Sequence, residues 1–82
     1  MTRLELKKLK EEQDEIFLTF NLVIIKHFFE KYKDIFMLSC LPPDRALYAD
    51  AMRTILRMER ATLEQKEKAR TWLKEQKIKF EN

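Results

Sequence analysis

Only two side chains in the sequence have the intrinsic reactivity of a base or nucleophile near neutral pH, His27 and Cys40, and each is the sole residue of its type. His27 could titrate there or ligate a metal. No second histidine exists, however, and Glu30 is a lone carboxylate three residues on, whereas a metal site in a helical protein draws several ligands to one place. Cys40 would need a base beside it to act as a nucleophile, and the single histidine lies thirteen residues away along the chain. The paired carboxylates Glu11-Glu12 and Asp14-Glu15 fall in a lysine-rich stretch where nothing would exclude water and raise a pKa, so they read as a solvated face. The expectation is a protein that is not an enzyme, with no catalytic residue, no cofactor, no metal and no small-molecule substrate.

Two further patterns point to binding. Lys66, Arg70, Lys74 and Lys77 recur at spacings of 4, 4 and 3, one turn apart on a helix, with Arg53, Arg57 and Arg60 upstream. Such a row can follow phosphates, which makes these four the candidate contacts to RNA or DNA. Glu59, Glu64, Glu67 and Glu75 interleave them, and mixed charge on a long helix is the ordinary way to keep it in water. The net charge of +3 and pI of 9.1 do not decide between the two. Trp72 lies at the edge of an apolar stripe beside Arg70, and Trp and Arg are residue types that dominate interface energetics. Trp72 and Phe80, toward the distal end, are therefore the candidate contacts to a protein partner.

The elements that must position these residues are helical. The chain has no glycine, two adjacent prolines and 38% charged residues, a composition poor in the residues that tight β-turns require. Thr2-Arg3-Leu4-Glu5 has the form of a capping box that starts a helix at the second residue. Leu18, Leu22, Ile25, Phe29, Tyr32 and Phe36 then recur at spacings of 4, 3, 4, 3 and 4, a seam of the coiled-coil type. Ile16, Phe20, Val23 and Ile24 lie on the other side of the same predicted helix, which gives it a second apolar face. Leu41-Pro42-Pro43 ends that helix, because each proline lacks a backbone donor and drives the residue before it out of the α region. Pro43 and Asp44 suit the first turn of the next one. Tyr48, Ala51, Ile55, Met58, Thr62, Ala69, Leu73 and Phe80 fall on one stripe of an unbroken second helix, although Thr62-Leu63-Glu64-Gln65 could be a capping box that breaks it near Ala61.

The expected fold is thus all-α: one domain over residues 1–82, built as a two-helix αα-hairpin with helices near 2–38 and 43–80, about 50 Å long at 1.5 Å per residue. A bare hairpin leaves the second face of the first helix wet. A homodimer closing a four-helix bundle through Ile16, Phe20, Val23 and Ile24 would cover it. The lone cysteine offers no intrachain disulfide, the apolar run is too short to span a bilayer, and no leader pattern opens the chain, so a cytoplasmic protein without a membrane partner is expected. The functional expectation is a small interaction or regulatory module that binds a partner protein through its helices, the alternative being a nucleic-acid-binding regulator that uses the basic second helix.

Overall fold

The computed structural model describes residues 2–78. They form four helices, α1 (Arg3–Phe17), α2 (Leu22–Lys31), α3 (Asp44–Arg57) and α4 (Leu63–Glu75), with no strand among the described residues. The all-α class follows from the sequence as expected. The two long helices do not: each is divided, and the molecule measures 35 × 27 × 25 Å where a hairpin would reach about 50 Å by the rise per residue.

The first division replaces a continuous helix through Ile16–Phe29. Asn21 is the cause. Its side-chain oxygen accepts from the amides of Val23 and Ile24 at 3.0 and 3.3 Å, which makes it the N-cap of α2 instead of a polar interruption within a longer helix. Thr19 completes the break. Its hydroxyl donates to the Ile16 carbonyl at 2.6 Å, which also accepts from the Thr19 amide at 3.2 Å, and it accepts from the Asn21 amide at 3.2 Å, giving that donor a partner at the break. The chain reverses through Phe20 in the left-handed region, φ 55°.

Two other segments close in the same hand. After α2 the chain continues in turns to Met37, φ 56°, where Leu38 donates to the Lys33 carbonyl and Met37 to that of Asp34; this is the paired-bond closure of a Schellman motif. Lys77, φ 57°, closes α4 with the same two bonds, Ile78 to Leu73 and Lys77 to Lys74. α2 ends at Lys31, and turns instead of helix fill the stretch to residue 37, where the first long helix was expected to continue.

Pro43 stands one place earlier than expected, as N-cap of α3, and its carbonyl accepts the first helical bond from Leu47. The second long helix divides at the point the sequence flagged. Thr62 and Gln65 complete both halves of the capping box, at 3.1 and 2.8 Å, and start α4 afresh. Two satisfied donors at Thr62 offset the helical bonds given up between Met58 and Ala61.

These breaks let one chain cover its own apolar faces. α3 is the central element and packs against each of the other three, while α4 packs on α3 and on no other helix. The core is Phe17, Ile25, Phe28 and Phe29 from α1 and α2, Leu47, Ala51, Met52 and Ile55 from α3, and Ala69 and Leu73 from α4. Phe17 is its keystone. The ring stacks on Phe29 at 5.6 Å and meets Phe28 edge-on at 5.7 Å, and aromatic pairs of this geometry are worth about 0.5–1.5 kcal/mol beyond burial. α1 is tied to α2 at the surface by Tyr32, whose hydroxyl donates to Glu12 at 2.9 Å, with Lys31 3.6 Å from the same carboxylate. The Tyr32 hydroxyl and then Glu12 hold the Lys31 ammonium above its ordinary range. Among the described residues no helix is long and apolar enough to cross a membrane.

Candidate partner-binding groove

Three aromatic rings from three different elements meet at the outer edge of α4. Phe20 comes from the reversal between α1 and α2, Tyr48 from α3 and Trp72 from α4. None is fully buried, and all three pack against the core. The Tyr48 and Trp72 rings stand nearly perpendicular, 67° apart with centroids at 4.8 Å. The Tyr48 hydroxyl donates to the Phe20 carbonyl at 3.2 Å, so the residue that reverses the chain is held from α3. Burial pushes the Tyr48 hydroxyl pKa up, because the phenolate would be poorly solvated there.

The rings floor an open groove of about 450 Å³, continuous through Phe20, Tyr48 and Trp72 with a second depression reaching Leu22 and Arg45. Its rim is charged. Glu64, Glu67 and Glu75 line it, and Lys68 extends its ammonium over the Phe20 ring, 4.4 Å from the centroid. At the far end Arg45 is committed to Gln76, donating to its side chain at 3.1 Å and to its carbonyl at 2.6 Å. Phe20 is the least comfortable residue in this wall. A bulky side chain in the left-handed region is a genuine outlier that surrounding contacts must hold in place, and such residues concentrate at binding sites.

The structure separates the residues expected to form a dimer interface. Ile16 and Phe20 are half-buried and pack against the core of their own chain, Phe20 in the groove; Val23 and Ile24 stand on the outer side of α2, 62% and 40% exposed. Trp72, expected at a partner contact, lies in the groove, while Phe80 falls outside the described residues. Lys66, Arg70 and Lys74 follow one side of α4, and Lys77 sits in the turn beyond it. At 100° per residue that side lies across the buried Ala69-Leu73 line from Trp72, while Glu67, which lines the groove, stands between the basic row and the rest of the groove wall. Arg70 is held by Glu67 at 2.7 Å.

His27 and Cys40 are both exposed, the first on α2 and the second in the connection to α3. Among the described residues no group of His, Cys, Asp and Glu is placed to hold a metal ion. The carboxylates of α1 are not uniformly solvated, which corrects their reading as one wet face. Asp14 is buried to 9% exposure in a depression lined by Lys10, Arg57 and Arg60, because its side of α1 turns toward the end of α3; Glu12 is engaged by Tyr32; Glu11 and Glu15 face water.

Sequence reasoning missed Tyr48 as a groove residue and placed Phe20 on the face of a straight helix. The signal present was Thr19-Phe20-Asn21, a capping side chain set inside an apolar run, with an aromatic residue just before it. Tyr48 and Trp72 also carry polar handles that favour half-wet positions over a dry core stripe. No protein-family model matches the chain, and neither a curated protein nor a solved structure does, so the groove itself carries the functional reading.

Proposed function

We propose that this protein is a non-enzymatic interaction module that docks a segment of a partner protein in the groove floored by Phe20, Tyr48 and Trp72. One observation carries the reading: three half-exposed aromatic side chains from three elements converge on one concave surface, and the backbone at Phe20 is held in a costly conformation to complete it. A floor with no other task would gain by burying its rings or replacing them with polar residues. Trp and Tyr in a concave, partly desolvated setting are the typical anchors of binding energy. Truncating such an anchor costs about 2 kcal/mol or more, roughly 30-fold in Kd. The test is Trp72→Ala in the full chain, with partner binding followed by calorimetry and folding by circular dichroism. Loss of binding with helicity retained supports the docking reading; unchanged binding refutes it.

Homodimerisation belongs to the same proposal, through the outer side of α2, where Val23 and Ile24 offer adjacent apolar side chains to a second copy. Val23→Glu is the variant to make, because an exposed side chain can be charged without unfolding the monomer. Light scattering then gives half the wild-type mass if the dimer forms this way, and the same mass if it does not. A cytoplasmic setting fits an exposed, unpaired Cys40. The alternative function is nucleic-acid binding along Lys66, Arg70, Lys74 and Lys77, favoured by the continuity of the first three along one flank of α4.

A further inference from the structure

We infer that the segment taken by the groove is basic, and that a lysine or arginine side chain of the partner enters over the aromatic floor. This rests on the docking reading and adds the chemistry of the occupant. The first observation is that the groove already holds a cation. Lys68, exposed and free to extend into water, carries its ammonium 4.4 Å above the centroid of Phe20. Aromatic faces attract ammonium and guanidinium groups through their negative quadrupole, and the Phe20 face that Lys68 covers opens on the same groove as the packed Tyr48-Trp72 pair. The second observation is independent of the rings. The carboxylates of Glu64 and Glu75 line the same space, and neither makes an ion pair among the described residues; Glu67 shares its charge with Arg70. Among the described residues Lys68 is the only cation lining this part of the groove, and their charges leave its rim with a surplus of negative charge that an acidic guest would meet as repulsion.

Lys68 thus acts as a stand-in that an incoming cation displaces. The consequence is a change in sign that a merely apolar groove would not produce: removing the protein's own positive charge strengthens the complex with a basic guest. At an exposed site a cation over a ring is worth about 0.5–1 kcal/mol, which converts to about a 2- to 5-fold change in Kd.

The experiment uses the full chain and the fluorescence of Trp72, its only tryptophan. Two synthetic amphipathic peptides are titrated, one of leucine and lysine and one of leucine and glutamate, alongside tetramethylammonium chloride and the neutral 3,3-dimethylbutan-1-ol, whose tert-butyl group is the uncharged counterpart of a trimethylammonium head, at constant ionic strength. The leucine–lysine peptide and tetramethylammonium are expected to perturb Trp72 with saturation, and their counterparts are not. Lys68→Gln should tighten the leucine–lysine peptide by about 2- to 5-fold, and the double variant Glu64→Gln/Glu75→Gln should weaken it by at least as much. All three side chains are exposed, so the fold is retained and circular dichroism checks it. If both peptides saturate Trp72 equally and the charge variants leave Kd unchanged, the cationic guest is refuted while docking in the groove stands. If neither peptide nor tetramethylammonium perturbs Trp72, the cationic guest is refuted outright, and a partner lost on Trp72→Ala would still uphold the docking reading.

Discussion

Replacing Met37 by glycine should stabilise this protein. Met37 sits at φ 56° as the reversing residue of a Schellman closure, in a chain that contains no glycine at all. For a residue with a Cβ the left-handed region costs roughly 1–2 kcal/mol. Glycine removes that cost but loses about 0.5–1 kcal/mol through the greater freedom of its unfolded chain. Packing does not enter the balance, because the Met37 side chain is 90% exposed. The net is a gain of about 0.5–1 kcal/mol, and since 1 kcal/mol moves Tm by about 4–8 °C in a domain of this size, an increase of roughly 2–8 °C is expected. Urea denaturation should show a higher midpoint at constant slope, since neither end state changes its exposed surface much. Met37→Ala is the control. It keeps the Cβ and should change stability by less than about 0.5 kcal/mol, as surface substitutions generally do. If Met37→Gly is neutral or destabilising while Met37→Ala is neutral, the turn is not closed in the left-handed region in solution, and the strain assigned to Phe20 on the same grounds loses its support.

Three other perturbations have defined outcomes. Asn21→Ala removes the acceptor that caps α2 and should cost about 1 kcal/mol in chemical denaturation, whereas a continuous helix through this point would be stabilised by the same change. Tyr48 is protonated more firmly in the folded state than in the unfolded chain, so its contribution is whole below about pH 10 and is lost as pH rises through the raised folded value; stability should fall more steeply above pH 10 in wild type than in Tyr48→Phe. Tyr48→Phe should itself cost about 0.5–1.5 kcal/mol at neutral pH for the lost bond to the Phe20 carbonyl. Neutralising Lys66, Arg70, Lys74 and Lys77 together should abolish any affinity for mixed RNA or DNA that falls with salt, the slope shrinking by about one per phosphate contact removed; binding that is unaffected excludes this flank of α4.

What could be read from the sequence was whatever depends on local chemistry alone. The Thr2 and Thr62 capping boxes, the Pro42-Pro43 boundary and the helical class all rest on residues within three or four positions of one another. The division at Asn21 was equally local but was overruled by a 4-3 seam that continues through it in sequence and not in space. Leu18, Ile25, Phe29 and Phe36 do pack in one core, yet they reach it from a helix end, a second helix and a turn. Periodicity records which side chains are apolar and cannot register a reversal of the backbone between them. The groove was beyond reach for the same reason. Trp72 was recognisable by type, but its neighbours Phe20 and Tyr48 lie 52 and 24 residues away in the chain, and only the two helix breaks bring them together.

The packing of α4 on α3 alone gives the molecule a seam of weakness with a defined location. The Phe17-Phe28-Phe29 cluster lies wholly on the far side of that seam, so lifting α4 away exposes Ala69, Leu73 and part of α3 but leaves the aromatic heart of the protein assembled. A separable unit of this kind exchanges its amide hydrogens at a lower free energy than the body it leaves behind. Trp72 travels with α4 and Phe20 stays with the body, which means that the floor of the groove is itself the joint between the two parts. A guest that touches both rings closes that joint, and the free energy it supplies is spent on α4 first: occupancy would be written in the exchange rates of one helix, with α1 and α2 left nearly silent.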